Sequence, residues 1–457
     1  MSRAACGRRP RGLRLVATSA LVAVVGCRAS APQPPPNVVL IVADALRADH
    51  LGAYGYDRPT SPAFDAAAAR GVLFTRVWST TSWTNPAVES LFTGEFPRVL
   101  QPGAATFIAP HARTLAMAFH ERGYRTAAIV ASPVIPPDLG FGQGFDDYVG
   151  VSGWVRGWSQ RPKEPGERVN AAARKWLAPS ATRGAPPWFL YLHYMDTHSP
   201  YEPPIDTAQR FWRSDGSALP AAYSELNKKI YQRPPNLSPD ETRQSADLYD
   251  AAVAHLDFQI ADLLRTLDAA GQLSHTVICI VADHGEELGD HGGFLHARTL
   301  YQEVLHIPLL IIRPGKAPAQ RIERPVQITD VGRTLLDAAG LHDSAFPGHS
   351  LLDESTPAVA AAPLFAELML APFTDTLHQY ALVRDHHKLI ITATGQQLLF
   401  DLERDPGEQH SEAGDHPGLV AQLAQTVTQL ATPHQPQPVA QPDAATRERL
   451  RELGYTF

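Results

Sequence analysis

Apolar stretches that stop abruptly at acidic or histidine side chains set the pattern of this chain. Asn37 to Ala43 (NVVLIVA) ends at Asp44, and Val277 to Ala282 (VICIVA) ends at Asp283-His284. Trp188 to Tyr194 runs into MDTHSP, and Ile307 to Ile312 is a fourth apolar stretch. Strands covered on both faces read as continuous Val/Ile/Leu runs, so these four are predicted to be buried strands of a mainly parallel sheet. Ligands of such sheets bind in the crevice beyond the carboxyl ends of the strands, where Asp44, Asp283 and His284 would emerge.

Between these runs the pattern alternates. Phe64 to Arg70, Leu115 to Arg122 and Thr329 to Gly340 read as helices, while Val72 to Trp78 and Thr126 to Ala131 read as extended. Ala246 to Ala270 carries Leu248, Ala252, Leu256, Ile260, Leu263, Leu264 and Leu267 at helical spacing, which predicts a long helix with a core-facing stripe. Pro203 to Asp240 is Pro-rich and polar and is predicted to be irregular. Thr84 precedes Pro86 and the pattern Val88, Leu91, Phe92, Gly94, which is the punctuation of a helix starting at or just after Thr84. The layered α/β pattern closes near Leu341. Beyond it, Tyr380 to Arg384, Lys388 to Thr392 and Leu398 to Asp401 predict a small antiparallel sheet, capped by a helix from His416 to Leu430. The last residues, RERLRELGYTF, predict a short docking helix.

Composition changes this picture mainly at the N-terminus. The chain has 457 residues and is 44% hydrophobic, enough for a large domain and a smaller one. Residues 1–26 carry Arg3, Arg8, Arg9, Arg11 and Arg14 before an apolar run ending at Val25, the shape of a signal peptide and too short to span a membrane. Val24-Val25-Gly26-Cys27 resembles a bacterial lipobox, so Cys27 is the expected lipidation site, and residues 27–36 form a Pro-rich tether. The resulting expectation is an exported protein, lipid-anchored to the cell envelope. Loss of the signal would take the net charge from −7 to −12, because five arginines and no acidic residue leave with it. That balance excludes nucleic acid as the partner. Cys279 sits inside an apolar strand and reads as a small buried hydrophobe.

Two buried strands ending in Asp bring carboxylates together, and converging buried carboxylates need a cation to offset their repulsion. Thr84 at a helix N-terminus would face an oxyanion, although a plain helix cap is the better reading of this segment taken alone.

The blocks VVLIVADALRADHLGAYGYDRPTSP, SWTNPAVESLFTGEFP, WFLYLHYMDTHSPYEPP, VADHGEELGDHGGFLHARTLYQEVLHIPLLI and LLFDLERDPGE occur in the order that resembles the sulfatase family of the alkaline-phosphatase superfamily. The resemblance implies an α/β fold: a mainly parallel sheet flanked by helices in a catalytic domain over 37–341, with a smaller C-terminal α+β subdomain over 342–457. It places metal ligands at Asp44, Asp283 and His284 and the nucleophile at Thr84, itself a candidate ligand. By the same resemblance His198 contacts or protonates the ester oxygens, and His296 and Arg298 approach the transferred group. His291 has no such match and is expected to be structural or exposed, and Glu286 and Glu287 are expected to shape the loop or open a helix.

Departures from the family pattern decide the chemistry. Sulfatases use a Cys or Ser in C/S-x-P-x-R that matures to formylglycine, whereas this chain has Thr84-Asn85-Pro86-Ala87-Val88, so no formylglycine is expected. Ala45 replaces a second strand-terminal Asp, and His284 stands where Asn is frequent. With fewer oxygen ligands and one imidazole, a single divalent ion of the Mn²⁺ or Zn²⁺ kind suits the site better than Ca²⁺. A threonine ester is resolved more readily at phosphorus than at sulfur, which favours phosphoric over sulfuric esters and a small-molecule, glycan or lipid substrate. The alternatives are a phosphoryl transferase acting on envelope lipid or glycan, and a binding protein that has lost its chemistry.

Overall fold

The computed structural model describes residues 34–97, 108–151, 165–181, 184–213, 219–232, 235–315, 318–353, 362–369 and 378–431. Pro35–Phe457 forms one compact unit, and all the described strands and helices belong to it. The signal, the lipobox with Cys27 and the terminal RERLRELGYTF segment lie outside the described residues.

In chain order the strands are β1 (Asn37–Ala43), β2 (Val72–Phe74), β3 (Val77–Trp78), β4 (Arg125–Val130), β5 (Asp147–Gly150), β6 (Trp188–Tyr194), β7 (Thr276–Ala282) and β8 (Glu287–Leu288). They continue with β9 (Phe294–Leu295), β10 (Leu309–Ile312), β11 (Gln320–Ile322), β12 (Val326–Gln327), β13 (Leu364–Met369), β14 (His378–Arg384), β15 (His387–Ile391) and β16 (Gln397–Asp401). Eight of them form one sheet in the order β11-β2-β10-β7-β1-β6-β4-β5. β7, β1, β6, β4 and β5 are mutually parallel, and β10 runs against both of its neighbours. The central strands are buried along almost their whole length, as their uninterrupted apolar runs require.

Register places the site. Ala43 lies opposite both Ala282 of β7 and Tyr194 of β6, so β1 and β7 end at the same level and Asp44 and Asp283 emerge side by side. His193 pairs with Val42, one residue back, and points to the same face as Asp44 because side chains alternate along a strand. The stripe Leu248 to Leu267 is buried as expected, but its helix starts at Pro239, behind a Ser238/Glu241 capping box, and runs to Ala269. The irregular reading of 203–240 is corrected accordingly: this stretch also forms helices Ile205–Phe211 and Leu219–Ile230. Proline at a first helical turn supports a helix there, and composition alone obscured it.

The small sheet has the order β13-β14-β15-β16, one strand more than the sequence pattern suggested. Leu364, Ala366 and Leu368 of β13 join the main core, while Phe365 joins Leu382, Leu389 and Leu399 against helix Pro417–Ala431. Period-two alternation thus lets one thin sheet serve two apolar layers. Among the described residues, no helix is long and apolar enough to cross a membrane.

Candidate metal centre and active site

Asp44 leaves β1 through a bend at Ala45, whose φ of +60° is a backbone state that L-residues adopt only under constraint. The constraint is visible: the Ala45 N–H donates to Asp283 Oδ1 at 3.2 Å, and its carbonyl accepts from the Tyr249 hydroxyl at 2.7 Å. The residue that replaces the expected second Asp therefore holds the first Asp of one strand against the Asp of the next. Asp283 Oδ1 also accepts from the His284 N–H at 2.9 Å. On Asp44, Oδ2 is held by His193 Nε2 at 3.1 Å, and the Tyr191 hydroxyl donates to His193 Nδ1 at 2.6 Å.

Each carboxylate is thus fixed through one oxygen. The other oxygens, Asp44 Oδ1 and Asp283 Oδ2, are buried with no hydrogen-bond partner. His284 Nδ1 lies 2.8 Å from the Gly285 carbonyl, which can only accept, so Nδ1 carries the proton and Nε2 the lone pair. That Nε2 lies 3.6 Å from Asp44 Oδ1, 3.6 Å from Asp283 Oδ2 and 3.2 Å from Thr84 Oγ1. Ligands bonded at about 2.05 Å around a tetrahedral ion are about 3.4 Å apart, so these separations are those of a coordination shell. Two orphaned carboxylate oxygens, one imidazole lone pair and one hydroxyl oxygen fit a divalent cation, and the donor set matches the expected ligands Asp44, Asp283, His284 and Thr84.

Without that cation the carboxylates are in conflict. Burial works against charge on Asp44, yet the nearby His198, His193 and His284 outweigh it and hold the carboxyl well below the usual range. Burial and then the charge of Asp44 push Asp283 up.

Thr84 opens the helix Thr84–Thr93, which is buried throughout and ends at Gly94 in the left-handed conformation. His198 lies just past β6, and its ring is 4.8 Å from that of His296, which is in turn 4.4 Å from that of His284. Burial lowers His198 to about 4. Burial also opposes charge on His296, but Glu286 Oε1, 2.9 Å from its Nδ1, overcomes this and raises it.

Glu286 and Glu287 do not open a helix. Glu287 belongs to β8, paired with β9 in a small hairpin, and only Glu286 faces the histidines. The contacts described for Arg298 are with the loop and the small sheet: its charge offsets that of Glu287, and its carbonyl accepts from Gln379 Nε2 at 2.7 Å. His291 is structural, stacked on Tyr301 with ring centroids 3.7 Å apart and bonded to Glu303 Oε1 at 2.7 Å. Cys279 is buried and its thiol is raised by burial, as its place in β7 suggested. Sequence reasoning missed His193. Its only signal was a single basic side chain next to the end of an otherwise apolar strand.

The profile of the family described as Sulfatase matches residues 36–341, which spans β1, Thr84, β7 and the whole histidine cluster. The chain belongs to the sulfatase family. The profile of N-sulphoglucosamine sulphohydrolase, C-terminal, matches residues 289–433, which includes the small sheet. An arylsulfatase of Clostridium perfringens is 23% identical, covering 82% of this chain and 89% of its own length. The phosphonate monoester hydrolase of Agrobacterium radiobacter superposes with a TM-score of 0.68 at 21% identity, covering 86% of this chain and 95% of that one. A protein solved in complex with its substrate D-glucosamine-2-N,6-O-disulfate superposes with a TM-score of 0.71 at 18% identity, covering 88% and 100%. These structures share the fold of this sulfatase-family hydrolase and include relatives acting on both phosphorus and sulfur.

Proposed function

We propose that this sulfatase-family protein is a metal-dependent ester hydrolase that works through a covalent Thr84 intermediate, on phosphoric esters in preference to sulfuric ones. The convergence of Thr84 Oγ1 with Asp44, Asp283 and His284 at coordination distances carries this reading. It also speaks against a binding protein with lapsed chemistry, since an unused site would have no reason to keep two buried carboxylate oxygens without partners. When bound, a divalent ion of the Mn²⁺ or Zn²⁺ class would lower the pKa of the hydroxyl and neutralise charge on the ester.

The chain's own groups supply the rest. Thr84 Oγ, its proton given up to solvent before the step, attacks phosphorus in line as the bond to the leaving oxygen breaks. Two histidines with pKa values driven apart divide the proton work. His296, kept protonated by Glu286, donates to the leaving oxygen. His198, kept neutral by burial, serves as the base that prepares water to release the group from Thr84. We further place the enzyme at the cell envelope, with a lipid on Cys27 holding it near glycan or lipid esters.

The test is a panel of nitrophenyl phosphate, phosphodiester, phosphonate and sulfate substrates with Mn²⁺ or Zn²⁺, comparing wild type with Thr84→Ala. Turnover of phosphorus esters that vanishes in the variant supports the proposal. Turnover of aryl sulfate alone overturns the preference, and equal rates in both proteins overturn the covalent step.

A further inference from the structure

The hairpin end of the small sheet brings together a second set of ligating side chains. His386 and His387 are consecutive, and consecutive strand residues point to opposite faces. Here Asp385 adopts φ +56°, so His386 still belongs to the turn while His387 begins β15, and the two rings lie side by side with centroids 4.1 Å apart. Directly across the ladder from His387 stands Asp401, the last residue of β16. Its Oδ1 accepts from the backbone N–H groups of Glu403 at 3.0 Å and Arg404 at 3.3 Å, which fixes the carboxylate with Oδ2 4.0 Å from His386 Nε2 and 3.6 Å from Nε of the exposed Arg404 side chain. The Leu402 N–H donates to the His386 carbonyl at 2.8 Å, locking the two segments together.

A gap of 4.0 Å is too long for a hydrogen bond. Two imidazoles in ring contact repel each other once both are protonated. One ligand atom from each of the three residues lies within 4.8 Å of the others, and closing the gap by roughly 0.6 Å would give the edge of a tetrahedral shell.

We infer that His386, His387 and Asp401 form a second metal site, separate from the Asp44 centre, that takes a borderline divalent cation of the Zn²⁺ class. Two imidazoles and one carboxylate are a donor set suited to Zn²⁺ and poor for Ca²⁺ or Mg²⁺. Glu412 and His416, which form their own pair at 3.7 Å, act electrostatically on His387 from the segment after β16. A cation here would clip the β14–β15 turn to the end of β16.

Chelator-stripped full-length protein, reloaded with Zn²⁺ and freed of excess ion, tests this by metal analysis of four proteins. These are wild type, His386→Ala, Asp283→Asn, and the two changes combined. His386→Ala should bind one zinc equivalent fewer than wild type and keep its ester hydrolysis, and the same one-equivalent difference should persist between Asp283→Asn and the double variant. That second comparison holds whether or not the Asp44 centre behaves as proposed above. His387→Gln, checked for folding by circular dichroism, provides the same readout should His386→Ala fold poorly. Equal stoichiometry with and without the imidazole, in either background, overturns the inference.

Discussion

Thr84 Oγ1 lies 3.2 Å from His284 Nε2, although 200 residues of chain separate them. One atom opens a helix and the other follows a strand, and the lone pair of His284 faces the hydroxyl and both orphaned carboxylate oxygens. The proposed nucleophile and the candidate cation site are therefore parts of one constellation. At saturating metal, Thr84→Ala should lower kcat/KM by at least about 10³-fold, as expected for loss of a nucleophile, and, with one of four donors gone, should also weaken metal binding. Thr84→Ser, which keeps the hydroxyl, should retain most of the activity. Steady-state kinetics with metal analysis of the same samples checks both.

His193 reaches the reaction only through Asp44, which it holds by one oxygen at 3.1 Å. His193→Ala should weaken metal affinity by about 10- to 100-fold, the usual consequence of losing the hydrogen bond that orients a metal ligand. Competition against a chromophoric chelator measures it. Saturating metal should restore a large part of the rate, which a residue touching substrate would not allow.

The pH profile follows from His198 and His296. Burial holds His198 neutral down to about 4, so the rate should fall on the acid side only as pH approaches that value. Burial disfavours charge on His296 but Glu286 more than offsets it, so the rate should fall on the alkaline side only above the ordinary histidine range. Glu286→Gln removes the raising partner and should move the alkaline limb to lower pH; because Glu286 also raises His198, the acid limb should move the same way, not toward the alkaline limb. An unmoved alkaline limb would show that His296 is not the acid.

The active-site loop is tied to the small sheet through Glu408, which follows β16 and forms a buried ion pair with Lys388 of β15, Nζ 2.7 Å from Oε1 and both side chains fully buried. Glu408 Oε2 accepts from the Gln302 N–H at 2.7 Å, and the Glu408 carbonyl accepts from His291 at 3.2 Å. Lys388→Met leaves a buried carboxylate without its cation and should destabilise the fold by about 3–5 kcal/mol in denaturant unfolding. The double change Lys388→Met/Glu408→Gln should recover part of that loss.

Much of this was legible in the sequence because buried parallel strands leave no ambiguity of face. NVVLIVA and VICIVA located β1 and β7, and the acids ending them located half of the metal centre. The β1–β7 register that sets Asp44 beside Asp283 is a pairing between distant segments and has no local signature. The same holds for Ala45, read as a lost ligand, whose left-handed bend and N–H to Asp283 are visible only in three dimensions. Glu286 and Glu287 are adjacent and chemically alike; the β8–β9 hairpin turns one toward His296 and the other toward Thr299. β13 escaped because its pairing partner, not its own composition, makes it a strand.

A covalent bond between Thr84 and the transferred group separates this mechanism from direct attack of water on the ester and from a binding protein without chemistry. Enzyme mixed with an aryl phosphate in the presence of Mn²⁺ or Zn²⁺, quenched in acid within one turnover and digested, can be read by mass spectrometry. The peptide containing Thr84 should carry the mass of one phosphoryl group in wild type and in Glu286→Gln, and none in Thr84→Ala. Active wild-type enzyme whose Thr84 peptide stays unmodified at every quench time, or label found on another residue, would contradict the covalent mechanism.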